Sequence, residues 1–539
     1  MAVHTPEELN KVSKSELIQM LIASETKLDE MNEKLDHLLE QIRIANAQRF
    51  GRHTEKLDQI DGQLSFFNEC EYLSEEAGEE PKPEEVIPPK KRPKKKGQRQ
   101  ADLSDFPHEK FSHTIGCQKL DAFYGKGCWR QLPSETYQRL RFRPATWLVE
   151  DHTVEVFVGT DGDHQDEFMR APHPKSLLRN SIVTPSLEAA VMNAKYVNSV
   201  PINRIEQEFQ RNGVNISRQT MANWTILCAD KYFTPLYEKL KKILLSLHVN
   251  QADETPVRVI HTGDEGRSKS YMWVHRSGEF YRDRQIVLYE YQNSRHHKHP
   301  EAFYKDFKGV LVTDGLQQYH MLERLIPGIT SSNCWAHARR DYADAIKGNK
   351  SLDDNKAGLR TTVAEQALTK IAAIYKLEKT FKDLSPEERL RRRQESILPL
   401  VDAYFAWVKE ILKEGIISGK TADGLNYSLN QEKYLRVFLT DGEVPIDNSA
   451  SERSIRTFCV GKKSWVLINS VKGAEASASI YSITETAKLN DLNPYYYLEY
   501  LLERMPYLVD LKEEDMDTAL EELLPWSDSL PEKCHKKRR

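Results

Sequence analysis

The spacing of hydrophobic positions changes several times along the chain, and each change marks a segment. Leu21, Leu28, Leu35 and Ile42 recur every seven residues, with Leu17, Met31, Leu38 and Ala45 on the companion seam and Ser24 as one polar break. This predicts a short coiled coil over residues 1–48, or an amphipathic helix packed on its own protein. Residues 49–105 lose that period, turn acidic and then Pro-rich, and in Lys90–Arg99 seven of ten residues are Lys or Arg. A stretch of this kind buries too little apolar surface to fold and reads as a solvated linker or a basic arm for a polyanion. Residues 106–165 hold an alternating run around Leu140–Val158, the mark of a small β-rich unit.

Residues 184–246 return to helical spacing. Pro201–Phe209 predicts a short helix ending at Arg211-Asn212-Gly213, and Ser217 caps a second one running through Leu227. Helix, glycine-containing turn, helix is the pattern of a helix-turn-helix, with Arg218, Gln219 and Asn223 placed to reach base edges; plain helical packing is the rival reading.

Beyond residue 247 the pattern becomes strand-like. His248–Asp253, Tyr271–His275 and Ile286–Tyr291 predict three strands, Pro300–Phe307 a helix, and Gly309–Asp314 a buried fourth strand. Aspartates stand at the C-terminal ends of the first and fourth. This order predicts a ribonuclease H-like α/β core with the first and fourth strands adjacent, so Asp253 and Asp314 project side by side. Two carboxylates so close repel unless divalent cations lie between them. Isolated strand-end aspartates are common turn residues, so the third acid carries weight. Glu452 lies in IDNSASERSIR, on a helix that Asn448 or Ser449 can cap, and completes a set suited to two magnesium ions. Glu254 is a rival ligand, but successive strand residues point to opposite faces, so only one of the pair enters the site.

The long stretch between Asp314 and Glu452 contains helical runs and predicts an inserted helical subdomain over 346–440. Its basic run Arg389, Arg391, Arg392, Arg393 faces either DNA or solvent. From Ser451 to Glu475, Lys or Arg at 453, 456, 462, 463 and 472 outnumber the acids at 452 and 475. That local excess suits strand phosphates. Trp465 reads as core or as a platform for an unstacked base.

Composition narrows the class. The chain has 539 residues, with Lys plus Arg 77 against Asp plus Glu 81 for a net charge of −4, so any nucleic-acid contact is local rather than global. No apolar run approaches the roughly 18–20 residues of a membrane helix, and the polar N-terminus lacks a secretory apolar stretch. A soluble cytoplasmic protein is expected. The 7 cysteines include no CxxC pair, which argues against a disulfide framework. Cys117 and Cys128, near His108, His113 and His152, match no zinc spacing, so zinc is doubtful.

The phrases RFGRHTEK (49–56), ADETPV (252–257), VTDGLQQY (312–319), CWAHARRDY (334–342), NSASERSIRTFCVGKKSWVL (448–467), LNPYYYLEYLL (492–502) and LLPW (523–526) follow one another along nearly the whole chain. Together they resemble the large DDE transposases of insertion-sequence family sixty-six, the TnpC class. The resemblance implies a leucine-zipper-like N-terminus, a zinc-finger-like region, a helix-turn-helix and a ribonuclease H-like catalytic domain with an insertion. The family's acidic triad falls on Asp253, Asp314 and Glu452. His337, Arg339 and Arg340 fall on its HxRR block, implying contact with DNA phosphate or orientation of the metal site. The family's paired cysteines around the β unit are missing here.

The expected architecture is therefore multidomain α/β: coiled coil (1–48), linker (49–105), small β-rich unit (106–165) and helix-turn-helix region (184–246). A ribonuclease H-like core (247–345 and 441–505) follows, interrupted by the insertion, with a C-terminal tail (506–539). The expected function is a magnesium-dependent transposase, with manganese able to substitute. It would bind the terminal inverted repeats of its own element as double-stranded DNA, cut there and join the ends to target DNA. Arg453, Arg456, Lys462 and Lys463 join the expected DNA contacts. A homo-oligomer in the bacterial nucleoid, with accessory proteins of the same element as further partners, completes the expectation. The alternative is a catalytically inactive DNA-binding remnant or regulator.

Overall fold

The computed structural model describes residues 147–158, 168–170, 174–261, 270–350, 362–415 and 419–537, together with residue 118. The expected coiled coil and linker, Cys117, Cys128, His108 and His113 lie outside the described residues. The described residues up to 174 belong to one compact unit and residues 175–536 to another. In the first, β1 (Val156–Val158) pairs antiparallel with β2 (Phe168–Arg170), Phe157 standing opposite Met169. His152 is exposed and lies 3.3 Å from Glu150.

The larger unit opens with helices. α1 (Pro185–Met192) starts at Thr184, whose hydroxyl accepts from the Leu187 amide. α2 (Ile202–Arg211) ends at Asn212, and Gly213 supplies the left-handed φ of 79° that the turn needs. α3 (Arg218–Cys228) is capped by Ser217, which accepts from the Thr220 amide at 3.1 Å. Ile205 and Phe209 from α2 and Met221, Trp224 and Cys228 from α3 are buried in one core with Leu236, Leu240 and Leu244 of α4 (Thr234–Ser246).

Next come β3 (Val249–Val257), β4 (Val259–His261), β5 (Ser270–Ser277), β6 (Val287–Gln292), α5 (Lys298–Tyr304), β7 (Gly309–Thr313), α6 (Gln317–Leu325), β8 (Ile329–Asn333) and α7 (Trp335–Lys350). Five strands form a mixed sheet in the order β6-β5-β3-β7-β8. β3, β5 and β6 run antiparallel in turn, while β7 and β8 continue from β3 in parallel. Parallel neighbours need crossovers, and α5 and α6 are placed in chain order to provide them.

The segment after β8 is helical: α8 (Val363–Thr380), α9 (Pro386–Arg392), α10 (Leu398–Glu414), α11 (Gly419–Asn430) and α12 (Glu432–Leu435). Its core of Leu368, Ile371, Val401, Tyr404 and Leu425 is continuous with Val249, Val310 and Val312 of the sheet. Half of the basic run is internal. Arg393 is fully buried, pairs with Glu378, and donates to the carbonyls of Phe438, Asp441 and Val444 at 2.8–2.9 Å. Arg389 donates to the Gly442 carbonyl at 2.6 Å. Arg391 and Arg392 are exposed and pair with Glu388.

The chain then returns to the sheet through α13 (Ser449–Trp465), β9 (Ile468–Ser470), which pairs with β4, and α14 (Val471–Leu489). α14 covers the sheet edge with hydroxyls. Thr486 and Ser482 accept from the amides of Val287 and Tyr289 at 3.0 and 2.7 Å, satisfying the open side of β6. Beyond α15 (Pro494–Leu508) and α16 (Glu513–Glu521) the chain stays packed, with Leu520, Leu523, Leu524, Leu530 and Cys534 buried. Among the described residues no helix is long and apolar enough to cross a membrane.

Candidate functional site

Strand register brings the first two acids together. β3 pairs with β7 as far as Gln251 opposite Val312; two residues further along the chain stand Asp253, still within β3, and Asp314, the residue that follows β7. One expectation is corrected here. Asp253 is not at the end of its strand but in the middle of the nine-residue β3, because β3 continues past β7 in its antiparallel pairing with β5. Asp253 lies two residues past the end of the parallel ladder instead.

The alternation along β3 sorts its side chains. Gln251 and Thr255 reach α13: Gln251 Nε2 donates to Asn448 Oδ1 at 3.2 Å and Thr255 Oγ1 lies 3.6 Å from Cys459 Sγ. Asp253 shares their face. Glu254 points the other way, accepting from Arg295 Nε at 2.6 Å and from the Tyr319 hydroxyl at 2.6 Å. The rival acid is thus engaged on the opposite face of the strand.

Glu452 is carried in the first turn of α13, and that turn is bound to the sheet by a device the sequence did not disclose. Asn448 occupies the cap position but makes no side-chain capping bond. Its Nδ2 donates to the Ala252 carbonyl at 2.8 Å while its Oδ1 accepts from Gln251, and the Ser449 amide is satisfied at 3.0 Å by Asp447 Oδ1. Capping by Asn448 or Ser449 is therefore corrected: Asn448 ties the helix to the residue preceding Asp253. Arg276 of β5 adds a second tie, donating to the Ala450 carbonyl at 2.9 Å, and the Tyr289 hydroxyl a third, to the Ser454 carbonyl at 2.6 Å.

The electrostatics match this convergence. Burial, then Glu254, Asp314 and Glu452, push the Asp253 carboxyl well above the usual carboxylate range. Burial, then Glu254, lift Asp314 to about 6. Burial also lifts Glu452 to about 7, with Asp447 and Asp314 adding to it and Arg340 and Arg456 opposing. All three donors are carboxylate oxygens, a hard set that suits a divalent cation of the magnesium or manganese class.

The loop after β7 is tightly held. Gly315 has φ +89°, and a Cβ there would stand 2.7 Å from Asn333 Nδ2 and 2.8 Å from the Tyr427 hydroxyl. That hydroxyl donates to the Asp314 carbonyl at 3.0 Å.

The other expected residues divide by position. His337 Nδ1 and Arg340 approach Glu452 Oε1 at 3.6 and 3.7 Å, and burial holds the His337 ring near a pKa of about 3. Arg456 acts on Glu452 electrostatically. Arg339 is half-buried on the same helix as His337 and acts on Tyr375. Arg453 turns aside to Glu279 at 3.0 Å, and Lys462 donates to the Pro256 carbonyl at 2.8 Å. Lys463 is exposed at the end of α13. Trp465 packs edge-on against Phe458 at 5.6 Å. On α3, Arg218, Gln219 and Asn223 are exposed, with Gln219 Nε2 donating to Asn223 Oδ1 at 3.1 Å.

Comparison with known proteins adds an independent line. A family model described as Transposase IS66 family matches residues 180–476, and one described as IS66 C-terminal element matches 482–526. A third, described as Transposase C of IS166 homeodomain, matches 37–110. Uncharacterized protein y4hP of Sinorhizobium fredii (strain NBRC 101917 / NGR234) is 25% identical over 403 residues, covering 74% of this chain and 71% of its own. Uncharacterized protein y4jD of the same strain is 27% identical over 371 residues, covering 67% and 69% respectively. With one family model spanning more than half of the chain and a second continuing where it ends, the protein belongs to the IS66 family of transposases.

Proposed function

We propose that this transposase binds the terminal inverted repeats of its insertion sequence, cleaves DNA there and transfers the strands to target DNA, with Asp253, Asp314 and Glu452 holding the divalent cations. The observation that carries the reading is the convergence of three carboxyls from β3, the end of β7 and the first turn of α13, Asp314 and Glu452 raising the pKa of Asp253 and Asp314 that of Glu452. The strand order β6-β5-β3-β7-β8, antiparallel on one side and parallel on the other, supports a ribonuclease H-like core. Magnesium is the expected cation and manganese its substitute.

When bound, such cations lower the pKa of an attacking water or 3′-hydroxyl and stabilise the leaving 3′-oxygen of an in-line displacement. The protein's own groups then position the strands. Arg340 and Arg456, beside Glu452, offer positive charge to a phosphate, and Lys463 extends that surface along α13. The exposed face of α3 presents Arg218, Gln219 and Asn223 to base edges in a major groove. Asn448 and Arg276 act on Glu452 only by holding its helix against β3.

The test is a cleavage and joining assay on labelled duplex carrying the inverted repeats that flank the gene, with magnesium or manganese. Nicking at the repeat tip is expected from the wild type and is lost in Glu452→Gln and Asp314→Asn. That loss should exceed the roughly 10–100-fold cost of removing an outer-shell partner. Specific binding without cleavage by any of the three proteins would instead support a DNA-binding remnant.

A further inference from the structure

We propose a second cation site, of zinc-class chemistry, formed by Cys334, His337 and Glu452 and sharing only Glu452 with the oxygen-only set of the acids. Cys334 follows β8 directly, His337 lies three residues on in the first turn of α7, and Glu452 lies in the first turn of α13. Their ligating atoms all fall within 4.8 Å of one another, the one such group among the described residues.

Several features point to a ligand. His337 Nδ1 and Glu452 Oε1 are both buried without a hydrogen-bond partner, facing each other at 3.6 Å. That is too long for a good hydrogen bond. Two zinc bonds of about 2.0–2.1 Å at a tetrahedral angle set their donor atoms about 3.4 Å apart. Cys334 is fully buried, and its Sγ accepts the Asn448 amide at 3.1 Å, the outer-shell support that a ligating sulfur commonly receives. One sulfur, one imidazole nitrogen and one carboxylate form a donor set that selects zinc over magnesium.

Binding replaces the thiol proton, which leaves to solvent, with a metal–sulfur bond. The thiolate and the Glu452 carboxylate balance the cation's two charges. Arg340, 3.7 Å from Glu452 Oε1, opposes it, while Asp447 and Asp314 add negative charge around Glu452. Three protein ligands leave one position open to water. The ion joins the first turns of α7 and α13, so its occupancy sets where the Glu452 carboxylate stands.

The inference rests on the geometry around Cys334 and not on the transposase reading, and the two fail separately. The full-length protein carrying Cys117→Ser and Cys128→Ser is stripped with chelator and titrated with cobalt(II). One thiolate-bound cobalt per chain is expected, with tetrahedral visible bands and a thiolate-to-cobalt charge-transfer band, both displaced by zinc. Cys334→Ser should lose the charge-transfer band, His337→Gln should weaken binding at least about tenfold, and Cys459→Ser and Asp314→Asn should leave the spectrum unchanged. Absence of the band in the parent protein, or its survival in Cys334→Ser, overturns the proposal. If Cys334→Ser fails to fold, X-ray absorption of the zinc-loaded parent decides: a shell with one sulfur supports the site, and a shell with none, or with two or more, refutes it.

Discussion

Replacing Asn448 with alanine tests how the Glu452 helix is held. Asn448 is fully buried, donates to the Ala252 carbonyl at 2.8 Å and accepts from Gln251 at 3.2 Å. Gln251 keeps a second acceptor in the Asp447 carbonyl at 3.2 Å, so the substitution orphans chiefly the Ala252 carbonyl. An unpaired buried polar group costs about 1–3 kcal/mol, and the weakened Gln251 contact about 1 kcal/mol more. The expected loss is about 2–4 kcal/mol, or at roughly 2 °C per kcal/mol a fall of about 4–8 °C in the melting temperature of the larger unit. Scanning calorimetry of Asn448→Ala measures this directly. Asn448→Ser separates the two roles, because serine is as good a helix cap as asparagine but is too short to bridge to Ala252. A serine variant as stable as wild type, or an alanine variant within about 0.5 kcal/mol of it, would refute the account. Cleavage should fall further than stability, since a shift of about 1 Å in a reacting group can cost a hundredfold in rate.

Glu188 lies fully buried between α1 and α3, accepting from Thr225 Oγ1 at 2.8 Å, and burial raises its pKa to about 8. Because the folded value exceeds the unfolded one, its contribution is intact below pH about 4.5 and is lost as pH rises through about 8. Glu188→Gln should therefore melt higher than wild type at pH 9, by up to about 5 kcal/mol in stability, with little difference at pH 4. Gly315→Ala forces a side chain into a left-handed conformation beside Asn333 and Tyr427 and should cost about 1–3 kcal/mol in denaturant unfolding. Arg393→Met leaves Glu378 buried and unpaired, and should cost about 3–5 kcal/mol. By contrast, Arg391→Ala breaks only surface pairs and should change stability by less than about 1 kcal/mol in the same measurement.

The two helices around Gly213, the strands β3, β5, β6 and β7 and the helix that carries Glu452 were legible from local pattern. The turn at Asn212-Gly213 and the cap at Ser217 were legible because φ preference and capping are local properties. The strands leading to Asp253 and Asp314 were legible because apolar runs and alternation survive in any context. Parity along β3 already separated Asp253 from Glu254, since side-chain direction in a strand depends only on residue count. Long-range partners were decided by the tertiary structure alone. Nothing near Asn448 in the chain indicates that its amide binds the Ala252 carbonyl rather than its own helix, because both uses satisfy the same side chain. Nor does the run at 389–393 reveal that Arg393 is interior, since its burial is made possible by Glu378 and by carbonyls between residues 438 and 444. The grouping of Cys334 and His337 with Glu452 is of the same kind: the Cys-x-x-His spacing stands in the sequence, but its third member arrives only when α13 folds back onto β3.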